Sequence, residues 1–143
     1  MKNKITIHTD GGARGNPGPA GVGVVISVDG IKSEYGEYIG ETTNNEAEYW
    51  AVIFAFKKLK QQLGSEKCKN SSVEFLLDSE LVVKQLNKEY KLKDKNIQNF
   101  FIEIWNLTFD VGKASFKHIP REKNGDADRI VNEVLDRQAS RLF

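Results

Sequence analysis

Four acidic residues stand in local contexts that suit a metal ligand. Asp10 closes Ile7-His8-Thr9 ahead of Gly11-Gly12, and Asp78 closes Phe75-Leu76-Leu77 ahead of Ser79. Glu48 follows Thr43-Asn44-Asn45-Glu46-Ala47, and Asp128 follows Asn124-Gly125-Asp126-Ala127. Two of them end short apolar runs of strand character, and two lie at or near helix starts. Carboxylates gathered from such distant points repel one another unless cations lie between them. Hard oxygen ligands of this kind suit hydrated Mg²⁺ and phosphoryl chemistry. Simpler roles exist for each. An Asp before two glycines can start a turn, and an Asp between a strand and a helix can cap the helix. Two assignments stay open on spacing alone. Glu46 and Glu48 are two residues apart and do not share a helix face, yet periodicity does not choose between them. Asp126 and Asp128 pose the same question, with Asp126 able to serve as a cap or as an outer acid near the site.

The elements that must position these acids follow from periodicity and punctuation. Ile5 and Ile7 alternate with Thr6 and His8, so Lys4 to Asp10 reads as a strand. Gly11 to Gly21, rich in Gly and Pro, reads as a loop. Val22 to Val28 is a buried strand, Asp29-Gly30 a hairpin turn, and Ile31 to Ile39 the returning strand, with Tyr35 and Tyr38 available for packing. Thr42 to Asn45 supplies capping chemistry for a helix from Glu46 to Leu63. Gly64 to Ser72 is polar and loop-like, and Val73 to Leu77 is a short strand. Ser79 to Leu86 opens a helix with Leu81, Val82 and Leu86 on its apolar face. Asn87 to Lys95 is a lysine-rich connector. Ile97 to Phe109 is a helix, Lys113 to Ile119 the last strand, and Gly125 to Ala139 a terminal helix. Trp50 and Trp105 fall on apolar faces and read as core. The order β-β-β-α-β-α-α-β-α implies an α/β fold with a mixed sheet covered by helices. Ligands of open sheets collect at the carboxyl ends of parallel strands, where Asp10 and Asp78 fall.

Composition bounds the answer. The 143 residues, 39% apolar and 29% charged, suit one domain over 1–143, with 137–143 as a tail that is frayed unless Leu142 and Phe143 dock. A formal net charge of +1 means that any nucleic-acid contact must come from a local patch. Cys68 is the sole cysteine, which excludes an internal disulfide or a cysteine zinc site, and His8 and His118 are the only histidines. No run reaches membrane-spanning length and the start lacks a signal-peptide pattern. The expectation is a cytoplasmic monomer.

In this order, the fragments Thr9-Asp10-Gly11-Gly12, Gly15-Asn16-Pro17-Gly18, Thr43-Asn44-Asn45 with Ala47-Glu48, Asp78-Ser79, and Asn124 with Ala127-Asp128 resemble type 1 ribonuclease H, across nearly the whole chain. The resemblance implies the ribonuclease H-like fold: a five-stranded mixed sheet, three antiparallel strands then two in βα units, flanked by helices. It implies an endonuclease that hydrolyses the RNA strand of RNA–DNA hybrids with two Mg²⁺ ions, Mn²⁺ substituting, leaving 5′-phosphate and 3′-hydroxyl ends. Asp10, Glu48, Asp78 and Asp128 are then both catalytic and metal-binding, which favours Glu48 over Glu46 and Asp128 over Asp126. The pattern is similar to the compact form of the family, with the large basic handle reduced to Lys88, Lys91, Lys93 and Lys95.

The same resemblance places Gly11, Gly12, Asn16, Asn44 and Asn45 along the minor groove, where the 2′-hydroxyl distinguishes RNA. It places Thr43 and Asn96 at a pocket for a DNA-strand phosphate, although Asn96 also suits a helix cap. Glu80 stands where some members carry a glutamine and cannot donate to a base when ionised. The resemblance also implies an accessory histidine on a mobile loop near the position of His118, which on its own residues reads instead as a packed strand histidine; Arg121, in the following loop, is the preferred basic accessory residue. Three other readings remain distinct: another nuclease of the superfamily, a catalytically inactive hybrid-binding module, and a broadened enzyme that also cleaves double-stranded RNA.

Overall fold

The computed structural model describes residues 3–141. Five strands form one sheet in the order β3-β2-β1-β4-β5. Strands β1 (Asn3–Ala13), β2 (Gly18–Val28) and β3 (Ile31–Thr42) pair antiparallel. β4 (Ser71–Leu77) joins β1 in parallel, and β5 (Lys113–His118) joins β4 in parallel. This is the mixed sheet that the order of elements predicts. Its parallel half places the ends of β1 and β4 side by side, with Thr9 opposite Leu77. Asp10 and Asp78 each follow these paired residues.

Helix α1 (Asn44–Leu63) packs on β1 and β2. Its buried residues Tyr49, Val52, Ile53, Phe56 and Leu59 meet Ile5, Ile7, Phe75 and Leu77 from the sheet in the main core. Full burial of one such side chain is worth about 1.5–3 kcal/mol. Helix α4 (Lys95–Leu107) packs on α1, and the short α2 (Ser65–Lys69) and α3 (Glu80–Leu86) bracket β4. Helix α5 (Gly125–Arg141) lies against β2, β3 and β1, with Val25, Ile130 and Val134 forming a second, smaller apolar cluster.

Two glycines let the helices come close to the strand that carries Asp10. A Cβ on Gly11 would lie 2.1 Å from the Ala47 carbonyl oxygen of α1. Gly23 pairs with Asp10 across β1 and β2, and a Cβ there would lie 2.4 Å from the Ala127 carbonyl oxygen of α5. The residues that follow Ala47 and Ala127 are Glu48 and Asp128. Bare backbone at these two points therefore allows both helices to deliver an acid to the same strand end.

Several local expectations are corrected. Gly11 to Gly21 is mostly strand, with a turn only between Ala13 and Gly18, because glycine here serves helix packing and the ladder continues through Gly12–Gly21. Gly64 to Ser72 contains α2 and the first residues of β4. The terminal helix continues to Arg141, through most of the segment expected to be a tail, while Leu142 and Phe143 lie outside the described residues. Trp50 packs edge-on against Phe100 at the core, but Trp105 is 48% exposed and stacks edge-on with the exposed Phe109. Leu81 is exposed as well. Periodicity identifies a helix face at each, and among the described residues that face stays about half exposed.

Candidate active site

Asp10, Glu48 and Asp78 converge at the carboxyl end of the parallel strands. One carboxylate oxygen from each lies within 4.8 Å of the others. Asp10 and Glu48 are buried, and Asp78 is half-buried. Thr43 starts α1 with its hydroxyl accepting from the Glu46 N–H at 3.2 Å. That cap fixes the helix start, and Glu48 follows on the buried face, where its Oε1 accepts from the Gly11 N–H at 3.3 Å. Ser79 caps α3 by accepting from the Val82 N–H at 3.3 Å, so Asp78 is free of capping duty.

The electrostatics of the trio follow from its burial. Desolvation moves the Asp10 carboxyl from its ordinary 3.8 up to about 7, and the charges of Asp78 and Asp128 push the same way. Hydrogen bonds from the Glu48 carboxyl and the Gly11 N–H oppose that shift without cancelling it. Glu48 is raised well above the usual carboxylate range, first by burial and then by the charge and hydrogen bond of Asp10. The two titrate as a pair. Both acids therefore keep their protons to higher pH than ordinary carboxylates.

Glu48 Oε2 is a buried oxygen with no hydrogen-bond partner among the described residues. Such an orphan beside two further carboxylates is destabilising as it stands. A divalent cation would satisfy it with the hard oxygen ligands such ions prefer. The residues present therefore fit a metal centre, with Asp10, Glu48 and Asp78 as its ligands.

These acids line a cleft of about 500 Å³, together with Gly11, Gly12, Arg14, Asn44, Arg121, Asp128 and Asn132. Asp128 is in the cleft but outside the tight trio. It is 36% exposed and lies 3.8 Å from the exposed Arg121 guanidinium. Asp126 does not approach the cleft. It faces Lys32 at 3.9 Å and Arg129 at 4.0 Å on the other side of the helix start, which removes it as an outer acid of the site. Glu46 is likewise separate, lining a second hollow with Thr43, Asn45, Gln85, Lys91, Lys93 and Asp94.

The residues expected to meet substrate form a connected rim. Asn16 Oδ1 accepts from the Asn44 N–H at 3.0 Å, and Asn44 Oδ1 accepts from the Ala13 N–H at 2.8 Å. The β1–β2 turn is thereby tied to the start of α1. Gly12 is on β1 within the cleft, while Gly11 is buried beneath Ala47. Asn96 is not the cap of α4. Asp94 is, accepting from the Asn96 and Ile97 N–H groups at 2.8 and 3.2 Å, and Asn96 is exposed in the first turn. His118 ends β5 as expected but is exposed rather than packed, since β5 is the edge of the sheet. Glu80 is paired with Lys84 at 2.8 Å.

Two residues near the acids were given no role on sequence grounds. Arg14 reaches Asp136 at 2.7 Å and Asn132 at 3.4 Å, clasping the β1–β2 turn to α5. Asn124 is 1% exposed and donates to the Thr9 carbonyl at 2.9 Å and to Asp78 Oδ2 at 3.3 Å. Asn124 stood among the family-like fragments, but nothing in its neighbours signals a contact across the fold.

Comparison with known proteins agrees with this geometry. The family profile described as Reverse transcriptase-like matches residues 8–134. A ribonuclease H1 isolated from compost by a metagenomic approach superposes with a TM-score of 0.89 at 48% identity, over 96% of this chain and 99% of that one. The same enzyme in complex with an RNA/DNA hybrid matches with a TM-score of 0.88. Ribonuclease H of Chlorobium phaeobacteroides is 39% identical over 100% of this chain and 97% of its own length. A bifunctional protein of Mycobacterium tuberculosis is 32% identical over 95% of this chain, which spans only 36% of that longer protein. With the sheet order, the acid trio and these full-length matches in agreement, the chain belongs to the type 1 ribonuclease H family.

Proposed function

We propose that the protein is an endoribonuclease that hydrolyses the RNA strand of RNA–DNA hybrids. The observation that carries this reading is the trio Asp10, Glu48 and Asp78, gathered in a cleft and holding the orphan oxygen Glu48 Oε2. Two Mg²⁺ ions, or Mn²⁺ in their place, would activate the attacking water and neutralise charge on the scissile phosphate and the departing 3′ oxygen. The products would be 5′-phosphate and 3′-hydroxyl ends. Asp10, Glu48 and Asp78 would hold the cations, and Asp128 would join them from the edge of the cleft. Arg121, 82% exposed beside Asp128, supplies a positive charge at the mouth. His118, on the exposed edge strand, is a second basic accessory. The rim of Gly11, Gly12, Asn16, Asn44 and Asn45 follows the minor groove of the hybrid. Gly11 does so only through its backbone, because its missing side chain accommodates α1.

The hollow at Thr43 suits a phosphate of the DNA strand, with Lys91 and Lys93 on its wall and Asn96 nearby in α4. Glu46 and Asp94 share that wall. Their charge favours a weak grip there, which is the specific reason to test double-stranded RNA as a second substrate. The reading carries with it a monomer in the cytoplasm, in keeping with the free buried thiol of Cys68.

One end-labelled sequence presented as RNA–DNA, RNA–RNA, DNA–DNA and single-stranded RNA, with Mg²⁺, Mn²⁺ or EDTA, tests this. The expected result is metal-dependent internal cutting of RNA in the hybrid alone, absent from Asp78→Asn. Cutting of RNA–RNA would establish the broadened enzyme, and hybrid binding without cutting would establish an inactive module.

A further inference from the structure

We propose that Asn124 is a positioning residue for the metal centre, holding Asp78 in its ligating orientation and tying the strand end to the helix that carries Asp128. The inference rests on the metal-site reading above and assigns it a residue that touches no substrate.

Three contacts meet at Asn124. Its Nδ2 donates to the Thr9 carbonyl at 2.9 Å, one residue before Asp10. The same nitrogen donates to Asp78 Oδ2 at 3.3 Å. Its backbone carbonyl accepts from the Asp128 N–H at 3.1 Å. One residue thus links the end of β1, the end of β4 and the first turn of α5. Both side-chain partners are pure acceptors, so the amide nitrogen must face them and the orientation of the amide is determined. A donor at Asp78 Oδ2 restrains the rotation of that carboxylate, leaving its other oxygen for a cation. Neighbours of this kind orient metal ligands and typically matter by about ten- to a hundredfold in metal affinity or activity.

Asn124 Oδ1 is also buried without a hydrogen-bond partner among the described residues, as are Glu48 Oε2 and Thr9 Oγ1. Unsatisfied buried polar atoms are few in native proteins, and two of these three belong to a site ligand and to the residue proposed to orient another.

The test compares Asn124→Ala and Asn124→Asp with the unaltered protein. Mn²⁺ affinity of the metal-free protein is read by electron paramagnetic resonance, alongside kcat and KM for a hybrid. Asn124→Ala is expected to weaken Mn²⁺ binding about tenfold or more and to lower kcat, with KM for hybrid little changed. Asn124→Asp keeps the shape but sets an anion against a carbonyl and a carboxylate, so it should be worse than Asn124→Ala in the metal-free state. A lower melting temperature with unaltered Mn²⁺ affinity would show a purely structural residue and overturn the proposal. Should either variant fail to fold, the ¹⁵N-labelled unaltered protein gives the answer: the Asn124 side-chain amide signals should shift on adding Mg²⁺, and fixed signals would overturn it. If the unaltered protein binds neither Mn²⁺ nor Mg²⁺, the metal-site reading itself falls instead.

Discussion

The two halves of the acid cleft are built differently. Asp10, Glu48 and Asp78 come from the sheet and the helix packed beneath it, with Asp10 and Glu48 buried and Asp78 half-buried. Asp128 comes from α5 above, 36% exposed and facing a mobile-length side chain, Arg121, at 3.8 Å. In this inner half, burial disfavours the charged forms of Asp10 and Glu48, and a cation or a proton relieves that cost. The outer half remains in contact with solvent. Under the proposed function, the inner half would hold cations and the outer half would adjust during turnover, a division of labour within one site.

Removing single charges tests that division most strongly. Asp10→Asn, Glu48→Gln and Asp78→Asn should each remove several kcal/mol of transition-state stabilisation, roughly a thousandfold or more in kcat. Asp128→Asn should retain measurable turnover, since it is outside the tight trio and its amide can still coordinate. Single-turnover cleavage of one hybrid by all four variants makes the comparison. Near-normal turnover by Asp78→Asn would end the metal-site reading, and equal losses at all four would erase the distinction between the halves.

The two sheet glycines offer a geometric version of the same contrast. Gly11→Ala places a methyl 2.1 Å from the Ala47 carbonyl oxygen and must displace α1, and Glu48 with it. Gly23→Ala places one 2.4 Å from the Ala127 carbonyl oxygen and must displace α5, and Asp128 with it. Overpacking of this kind destabilises by about 1–3 kcal/mol, so both should melt at lower temperature. Activity should fall much further in Gly11→Ala. Mn²⁺ affinity should drop in Gly11→Ala and stay near normal in Gly23→Ala, a split that thermal melts alone would not reveal.

How much of this could be seen in the sequence follows from what local pattern encodes. Asp10 and Asp78 were legible because each ends an apolar strand and the order of elements makes those strands parallel. Glu48 and Glu46 could not be separated by periodicity, and the packing of α1 on Gly11 separates them. Asn124 was visible as a letter but not as a contact, because its partners Thr9 and Asp78 are distant in sequence and meet it only in the folded sheet. The glycine-rich stretch after Asp10 was misread as a loop, since propensity treats glycine as a turn former and not as space for a helix. Trp105 and His118 were assigned to the interior, but one is on an uncovered helix face and the other on an edge strand.

Protonation gives a gentler way to separate the halves. The folded metal-free protein keeps a proton on Asp10 that the unfolded chain releases at the ordinary 3.8. At Asp10 the folded protein therefore binds more protons between 3.8 and about 7, so the contribution of this group to stability declines as pH rises through that window. Above it the loss is complete. A bound cation takes the place of the proton, so Mg²⁺ or Mn²⁺ should flatten the decline, and activity should rise across the same window. Melting temperatures in EDTA at several pH values measure this. Asp10→Asn should reduce the slope and Asp128→Asn should leave it largely intact; an unaltered slope in Asp10→Asn would place the proton elsewhere.

The smallest expected effect belongs to Glu46, the acid that spacing could not distinguish from Glu48. Its carboxylate meets the Thr43 hydroxyl at 3.2 Å and lines the hollow with Lys91 and Lys93, away from the trio. Glu46→Gln keeps the shape and removes one charge, while the Thr43 hydroxyl still accepts from the residue 46 N–H. The loss in stability should stay below about 1 kcal/mol, the ordinary worth of a helix cap. Cleavage rate at saturating hybrid should be unaltered, because no cation ligand is touched. Affinity for hybrid at low salt should rise slightly, since a negative charge has left a wall expected to face phosphate. Measured beside Glu48→Gln, this variant separates chemistry from grip: a large fall in kcat would move the catalytic acid to residue 46, and an unaltered affinity across salt concentrations would take the Thr43 hollow out of the interface.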